Sequence, residues 1–502
     1  MATYSRAGVY VNETLNPVPP SVGAGTTAVP VFIGAINQGP TTAGTLITSW
    51  KQFTNLYGNW AYDATDTLRY AVRSFLVDGA GGQCYVNRVL GTGSSTASRS
   101  FYDSSGANNT AGSTYTLQIN AANAGAWGNG VYVDISRAST TATYFNLTVY
   151  YNDSVERFLD LSMDTTNNRY ALKLVNGISQ FVTLTDLADA ATGVADVPAS
   201  VSGAQLGGGV NATGGQTSTA IATQVSQCDS LQESLLINAP GITTSSDVNI
   251  LIAYAETRGD CFVVVDAGAS TVADQLTLAS SYSVSSRAAV YYPNIVVSDP
   301  TTTAPGVTKT INNGGAVIAQ YVVTDRTRDV FKAPAGLLTK LGGAVSVTNL
   351  TNTELDSLNT AASPVNAIRY ISGSGIVIMG ARTLKQGYVD KYVPVRRTLT
   401  YLEKSLQSLT RYAIFEPNDG RLQRQLTATC ENFLNAFWRK GGLRGATASA
   451  AYYVVCNSTN NTLQSVDAGE VRIEIGVSLQ RPAEFVVINI SQYDGGVTVT
   501  TV

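Results

Sequence analysis

The apolar positions of this chain change their spacing several times, and the changes divide it into regions. In "GVYV" (Gly8–Val11), Val9 and Val11 alternate with Tyr10, a short strand pattern with no hairpin partner within reach. Pro17, Pro19 and Pro20 then stiffen the chain, and residues 21–25 loosen it. The apolar run Val29–Gly34 predicts a buried strand closed by a Gly-Pro turn. Leu68, Val72, Phe75 and Leu76 recur at helical spacing, and Gly79, Gly81 and Gly82 stop that helix. Cys84–Val89 reads as the next strand.

From about Gly91 to Gln227 the texture becomes rich in Gly, Ser, Thr, Asn and Ala. Short alternating stretches such as "YTLQI", "VYVDIS", "YFNLTVYYN" and "RFLDLSM" predict a β-rich domain inserted into an α/β one. The α/β pattern returns at Ser230. "SLLINAPG" and "CFVVVDAG" are apolar strand runs. Between them "SSDVNILIAYAETRG" sets Val248, Leu251, Ile252 and Ala255 on one helical face. A helix at "TVADQLTLASSYSVSSR" and a strand at "AAVYYPNIVVSDP" follow, so this part predicts a parallel sheet with right-handed crossovers. The last third reads differently. One helix face carries Leu399, Leu402, Leu406, Leu409 and Tyr412, and a second carries Leu422, Leu426, Cys430, Phe433 and Phe437. Strand patterns follow at "AAYYVVCN", "GEVRIEIGVSLQ" and "AEFVVINIS", which makes an α+β domain.

The expected organisation is an N-terminal arm over 1–22, an α/β middle domain from 23–92 and 228–365, an inserted β-rich outer domain over 93–227, and a C-terminal α+β domain over 366–502.

Composition narrows the function classes. The 502 residues are 44% hydrophobic but only 13% charged, where roughly 25% is usual. A neutral polar surface repels copies of itself weakly and suits self-packing. Net charge is −3 and the pI is about 5.2, which argues against a nucleic-acid binder. The N-terminus has no apolar signal region, and no run approaches the ~18 apolar residues that span a bilayer. These features predict a protein folded in a cytoplasm, with no membrane insertion. Five single cysteines without metal-ligand spacing read as buried free thiols, with no metal site. The chain has no histidine, which removes the commonest general base and transition-metal ligand.

Several motifs invite sharper readings. Asp266 and Asp299 fall at strand ends, where parallel sheets bind ligands, yet no glycine-rich phosphate loop follows a strand. "RGD" at Arg258–Asp260 reads as a helix C-cap turn before a buried strand. Arg439, Lys440 and Arg444 cluster in "FWRKGGLRGA"; they suit a helix C-terminus and equally a contact loop for an acidic partner.

Taken in chain order, the motifs resemble the contractile tail sheath proteins of bacteriophages and related injection systems. "GVYVNE", "PVFIGAINQGP", "SWKQFTNLYG" and "AVRSFLVDGAGGQCYVNRV" are similar to that family's opening blocks. "AWGNG" (Ala126–Gly130), "DRTRDVFKAPAG" (Asp325–Gly336), "GARTL…YVPVRRTLTYLEKSL", "FEPND" and "RPAEFVVINISQ" follow in the family's order.

The resemblance implies a structural subunit, not an enzyme, with no cofactor. Such subunits stack as rings, usually of six, around an inner tail tube. They contract to drive the tube through a cell envelope, which in a phage serves genome ejection. Implied partners are further copies of the chain, the tube protein, and baseplate and terminator proteins, with no direct nucleic acid. The implied location is the virion tail, assembled in the host bacterial cytoplasm. The resemblance further implies that terminal arms add strands to a neighbour's C-terminal domain, completing its fold by exchange between subunits. Gly8, Val9, Tyr10 and Val11 would be one such strand, and Val497, Val499 and Val502 of "VTVTTV" another. Arg439, Lys440 and Arg444 would face the tube. A self-assembling surface-layer or shell protein is the alternative reading, and an α/β enzyme with a carboxylate site a third.

Overall fold

The fold is given by a computed structural model, which describes residues 28–42, 44–58, 66–79, 81–103, 115–139, 141–187, 197–212, 216–302, 304–387 and 391–484. The chain divides into two compact units, one containing 27–401 with the segment after 479, the other containing 402–478. The expected arm strands Gly8–Val11 and Val497–Val502 lie outside the described residues.

In the larger unit, strand β1 (Val29–Ala35) is followed by β2 (Thr45–Ile47), helices α1 (Trp50–Tyr57) and α2 (Thr67–Arg73), and β3 (Cys84–Val89). A wider turn at Ser74–Asp78 extends α2 to Gly79, where the sequence places its stop. The inserted stretch contributes β4 (Ser98–Tyr102), β5 (Tyr115–Ala121), β6 (Val131–Arg137), β7 (Tyr144–Tyr151), β8 (Ser154–Ser162), α3 (Ala171–Val175), β9 (Val182–Asp186) and β10 (Val201–Gln205). Then come α4 (Ser218–Ser226), β11 (Leu235–Asn238), α5 (Ser245–Arg258), β12 (Cys261–Val265), α6 (Val272–Ser280) and β13 (Ala288–Tyr292). A small antiparallel sheet of β14 (Ile295–Ser298), β15 (Thr308–Ile311) and β16 (Ala344–Val347) surrounds α7 (Gly314–Arg328) in sequence. Helix α8 (Asn352–Thr360), β17 (Val365–Ile371), β18 (Gly375–Ile378) and the start of α9 (Val393–Thr410) complete the unit.

The main sheet has the order β18-β17-β13-β12-β11-β1-β3-β2. Its six inner strands are parallel, and the outermost two are antiparallel to their neighbours. Strands covered on both faces need apolar residues on both, which is why β11, β12 and β13 read as unbroken apolar runs. One face packs Phe32, Leu236, Phe262 and Tyr291 against α1, α2 and α7. The other packs Ile33, Ile237, Val263 and Val290 against α4, α5, α6 and α8. The expectation of a C-terminal domain starting at 366 meets a different arrangement. Asn366, Ala367 and Ile368 are buried in β17, which pairs with β13, and β18 closes the same sheet. Their apolar pattern signals burial, but only the long-range pairing says in which core.

The insertion is a sandwich of a three-stranded sheet, β4-β5-β9, and a four-stranded sheet, β10-β6-β7-β8. Every second residue of β7 faces its shared core, as the alternating sequence requires. Arg88 at the end of β3 joins this sandwich to the main sheet. It is 2% exposed, and its guanidinium donates to the carbonyls of Ile36 (2.7 Å), Gly39 (2.6 Å) and Ala124 (2.7 Å). Burial lowers its pKa to about 10. Tyr151 adds a hydrogen bond to Gln38 at 2.9 Å and packs edge-on against Trp127 of "AWGNG".

The strand-end acid Asp266 is structural. It is 1% exposed. One of its oxygens accepts from Gly314 N (2.7 Å) and Asn238 Nδ2 (3.2 Å), the other from Gly241 N (3.0 Å). The carboxylate thereby fixes the start of α7 and the turn after β11. A Cβ on Gly314 would lie 2.3 Å from Asp266 Oδ1, so this approach requires glycine. Asp299 instead accepts from Tyr70 and Thr301 beside the small sheet. The turn at Arg258–Asp260 is a left-handed C-cap of α5, as expected, with Arg258 bridged to Asp260 at 2.7 Å. All five cysteines are buried and free. Among the described residues no helix is long and apolar enough to cross a membrane, and no group of acids and thiols is placed to hold a metal.

Helix α9 is anchored in this unit by a buried ion pair. Arg397 donates to both oxygens of Asp325 on α7, at 2.9 and 2.5 Å, and each side chain is 3% exposed. The guanidinium lies 4.8 Å from the ring centre of Tyr321, whose hydroxyl meets that of Tyr291 at 2.6 Å.

Two predictions follow from these buried charges. Desolvation raises the Asp266 pKa to about 6 against its three hydrogen bonds. Because the folded pKa lies above the unfolded one, the group's contribution is full below pH 4 and lost as pH rises through 6. Wild type should therefore lose roughly 2–3 kcal/mol relative to Asp266→Asn between pH 4 and 7. Urea denaturation at both pH values measures this, and a constant difference would show that Asp266 ionises normally. Arg397→Met strands the Asp325 carboxylate and should cost ~3–5 kcal/mol, whereas Asp325→Leu/Arg397→Met should recover most of it. Equal losses in the single and double variants would mean that the pair is not compensating buried charge.

Candidate assembly interface

The 402–478 unit holds the end of α9, helix α10 (Gly420–Arg439), the short α11 (Ala448–Ala451), β19 (Tyr452–Val455), α12 (Leu463–Asp467) and β20 (Glu474–Val477). Helix α10 starts at Asp419, whose side chain accepts from Arg421 N (2.9 Å) and Leu422 N (2.8 Å). These backbone bonds hold the Asp419 carboxyl below its ordinary pKa. Leu422, Leu426, Cys430, Leu434 and Phe437 form the buried stripe. The sequence reading places Phe433 there. It is half-buried instead, because 3.6-residue periodicity after Cys430 brings Leu434 to the centre of the face.

The end of α10 presents the basic cluster. Gly441 sits at φ +89°, and Gly442 N returns to Phe437 O at 3.1 Å, closing the helix. Gly442 lies against the Phe437 ring, where a Cβ would come within 2.4 Å. Trp438 Nε1 donates to Gly445 O at 3.0 Å, and Arg444 N to Ser478 O at 2.7 Å. The loop is thus tied at both ends, and Arg439, Lys440 and Arg444 are all exposed on it. The structure brings these three predicted residues together. Their charge adds to the negative pole of a 20-residue helix and lowers its local potential energy.

The same unit carries a two-stranded antiparallel sheet, β19 with β20. Tyr452 faces Val477 and Val455 faces Glu474. The ring of Tyr453 covers Gly476, where a Cβ would lie 2.1 Å from it, and Tyr453 Oη donates to Glu474 at 3.0 Å. The Ser478 N to Ala451 O bond sets the alternation of the ladder. That alternation turns the peptide groups of Val454, Ile475 and Val477 outward. Among the described residues no strand pairs with either outer edge. A two-stranded sheet is marginal alone and is strengthened by any strand added to it.

Sequence reasoning missed the turn before α10. Phe415 is fully exposed at φ +67°, and Ile414 beside it is 65% exposed. A bulky residue in the left-handed region is strained, and "FEPND" gives no sign of it, since Pro417 restricts Glu416 and not Phe415.

This region is the part of the chain with a family match. Residues 390–492 match the model of the phage tail sheath C-terminal domain. A stretch of 126 residues is 25% identical to the tail sheath protein of Vibrio phage KVP40, covering 25% of this chain and 18% of that protein. The matched stretch thus spans under a fifth of that relative's length. Solved structures extend the likeness to the whole fold. The sheath complex of PVC, an extracellular contractile injection system, in its contracted state aligns with 98% of this chain and 99% of its own, at TM-score 0.61 and 22% identity. The contracted helical sheath of the anti-feeding prophage aligns with 98% and 100%, at TM-score 0.59 and 21% identity. A sheath tail protein from Listeria innocua aligns with 90% and 95%, at TM-score 0.61 and 15% identity. Residues 390–492 thus match the phage tail sheath C-terminal domain, and the chain as a whole has the fold of the solved contractile sheath proteins.

Proposed function

We propose that this protein is the polymerising subunit of a contractile sheath, stacked as six-membered rings around an inner tube and joined to a baseplate and a terminator. The observation that carries the reading is end-to-end likeness to sheath subunits from contracted assemblies, covering 98% of this chain. In this reading the free energy of contraction is the difference between two packings of the same subunits, with no cofactor consumed. The C-terminal domain faces the tube, and the inserted sandwich lies outside. The sheath forms part of the tail of a phage or injection system, assembled in the bacterial cytoplasm.

The open edges of β19 and β20 support strand addition as the joint between subunits. Gly8–Val11 of one copy and Val497–Val502 of another have the alternation that such an edge accepts, with Val9 and Val11 filling pockets on one face. The segment Pro17–Pro20 then acts as a semi-rigid tether between copies. Arg439, Lys440 and Arg444 contact acidic groups on the tube. Exposed pairs contribute under ~1 kcal/mol each, which suits a surface that must release when the sheath widens.

Negative-stain electron microscopy of the full chain beside a variant lacking residues 1–20 tests the arm. Long hollow tubes are expected from the full chain, and monomers or small rings from the truncation. Tubes from both would remove the arm's role. Reversal of all three cations, Arg439→Glu/Lys440→Glu/Arg444→Glu, should abolish extended sheaths on tubes while tube-free assembly persists. Normal extended sheaths from that variant would refute the tube contact.

A further inference from the structure

An edge strand offers unpaired peptide groups to any other strand, and copies packed side by side meet such edges at high local concentration. The inserted sandwich has four outer edges, β4, β9, β10 and β8. Each is closed by a group that is not a strand of its sheet. Gly207 and Ala199 donate to the carbonyls of Ser98 and Tyr102 on β4, and Arg99 donates to Gln205 O on β10.

The closures on β8 and β9 come from side chains. On β9, Asn176 Oδ1 accepts from Leu184 N at 2.7 Å, and its Nδ2 donates to Leu184 O at 3.0 Å. One amide side chain thus occupies both the N–H and the C=O of Leu184 that a new strand would use. Ser179 Oγ takes the next outward donor, Val182 N, at 3.0 Å. On β8, Arg169 donates through Nε to Asp160 O at 2.7 Å and through Nη2 to Leu159 O. The same segment pairs its own carbonyl with Ser162 N at 2.8 Å. Asp160 at φ +54° breaks the strand's regularity there. These edges need closing, since Val155, Leu159 and Ile178 are 50%, 56% and 64% exposed. Exposed apolar residues on an open edge favour pairing with a like edge, and on β8 they stand among Glu156, Arg157 and Asp160.

We infer that Arg169, Asn176 and Ser179 limit where copies of this chain can join, by closing β8 and β9 and so turning strand addition away from the sandwich and toward the β19–β20 pair. Only the last clause rests on the proposed arm exchange; the guarding of β8 and β9 stands on the sandwich alone.

The test compares three full-length proteins by sedimentation and negative-stain microscopy, with thermal unfolding as the folding control. Arg169→Ala/Asn176→Ala opens both edges. It should give a severalfold rise in laterally bundled, pelletable material over the parent, at an unfolding midpoint near the parent's. Arg169→Lys/Asn176→Asp also loses the fitted hydrogen bonds, but it retains a charge on β8 and introduces one on β9, which repels a like edge, so it should stay as dispersed as the parent. Should the alanine pair unfold, Arg169→Ala alone, on an exposed side chain, gives the same reading. Dispersion of the alanine variant, or equal bundling of both variants, overturns the inference. The readout is association beyond the parent, so it holds whether or not the parent forms tubes, and failure of the sheath reading is seen separately in the parent.

Discussion

The Asp325–Arg397 ion pair is the constraint on which the C-terminal half depends. Removing two charges from water costs several kcal/mol each, and mutual attraction repays this only where geometry is good and other polar groups help. Here the pair is bidentate, and the Tyr321 ring lies under the guanidinium. Hydrophobic residues would fill the space as well. An ion pair, unlike a hydrophobic contact, is satisfied at one register of α9 against α7 and at no other. The matched sheath domain begins at 390, ahead of this contact, while the boundary between compact units falls later in the same helix. The first turns of that domain are therefore seated in the α/β core.

How much of this was legible in the sequence depends on whether the deciding contact is local. Strands β11, β12 and β13 and helix α5 announce themselves through apolar runs, spacing and a C-cap glycine, and the structure agrees. The basic loop was legible because Arg439, Lys440 and Arg444 lie within six residues, and helix termination holds them on one turn. The placement of β17 and β18 was not, since an apolar strand pairs equally well in either of two cores until its neighbour β13 is known. Leu434 was displaced by Phe433 in the reading because both fit a helical face, and only packing separates them. Phe415 was invisible for a different reason: a strained exposed aromatic breaks the very regularities from which sequence is read.

Sheet edges divide the molecule more sharply than composition does. In the main sheet, Gln52 Nε2 caps Leu46 O on β2, and the loop 336–341 bonds Ile376 and Ile378 on β18. The sandwich closes its edges with Arg99, Arg169 and Asn176. The C-terminal unit carries a single pair of strands whose outward peptide groups meet no strand among the described residues. A chain that repels its copies so weakly has to control association by geometry, because net charge does not do it for a protein only 13% charged.

In the proposed sheath, the same reasoning assigns weak contacts to the basic loop and strong ones to the strand edges. A surface ion pair contributes little and is screened by salt. Repeated along a sheath, many such pairs hold a tube firmly while each breaks easily. Backbone pairing in an added strand is several hydrogen bonds in series, with side chains filling pockets on one face, so it persists through movements that the loop does not survive. A contractile assembly needs both kinds. Its subunits must release what they surround without releasing one another, and this chain places the exposed cations and the open strand pair on the same small unit, joined through Arg444 N and Ser478 O. In the proposed sheath, a shift of the strand pair would reach the loop through this hydrogen bond, coupling the lasting joint to the reversible one.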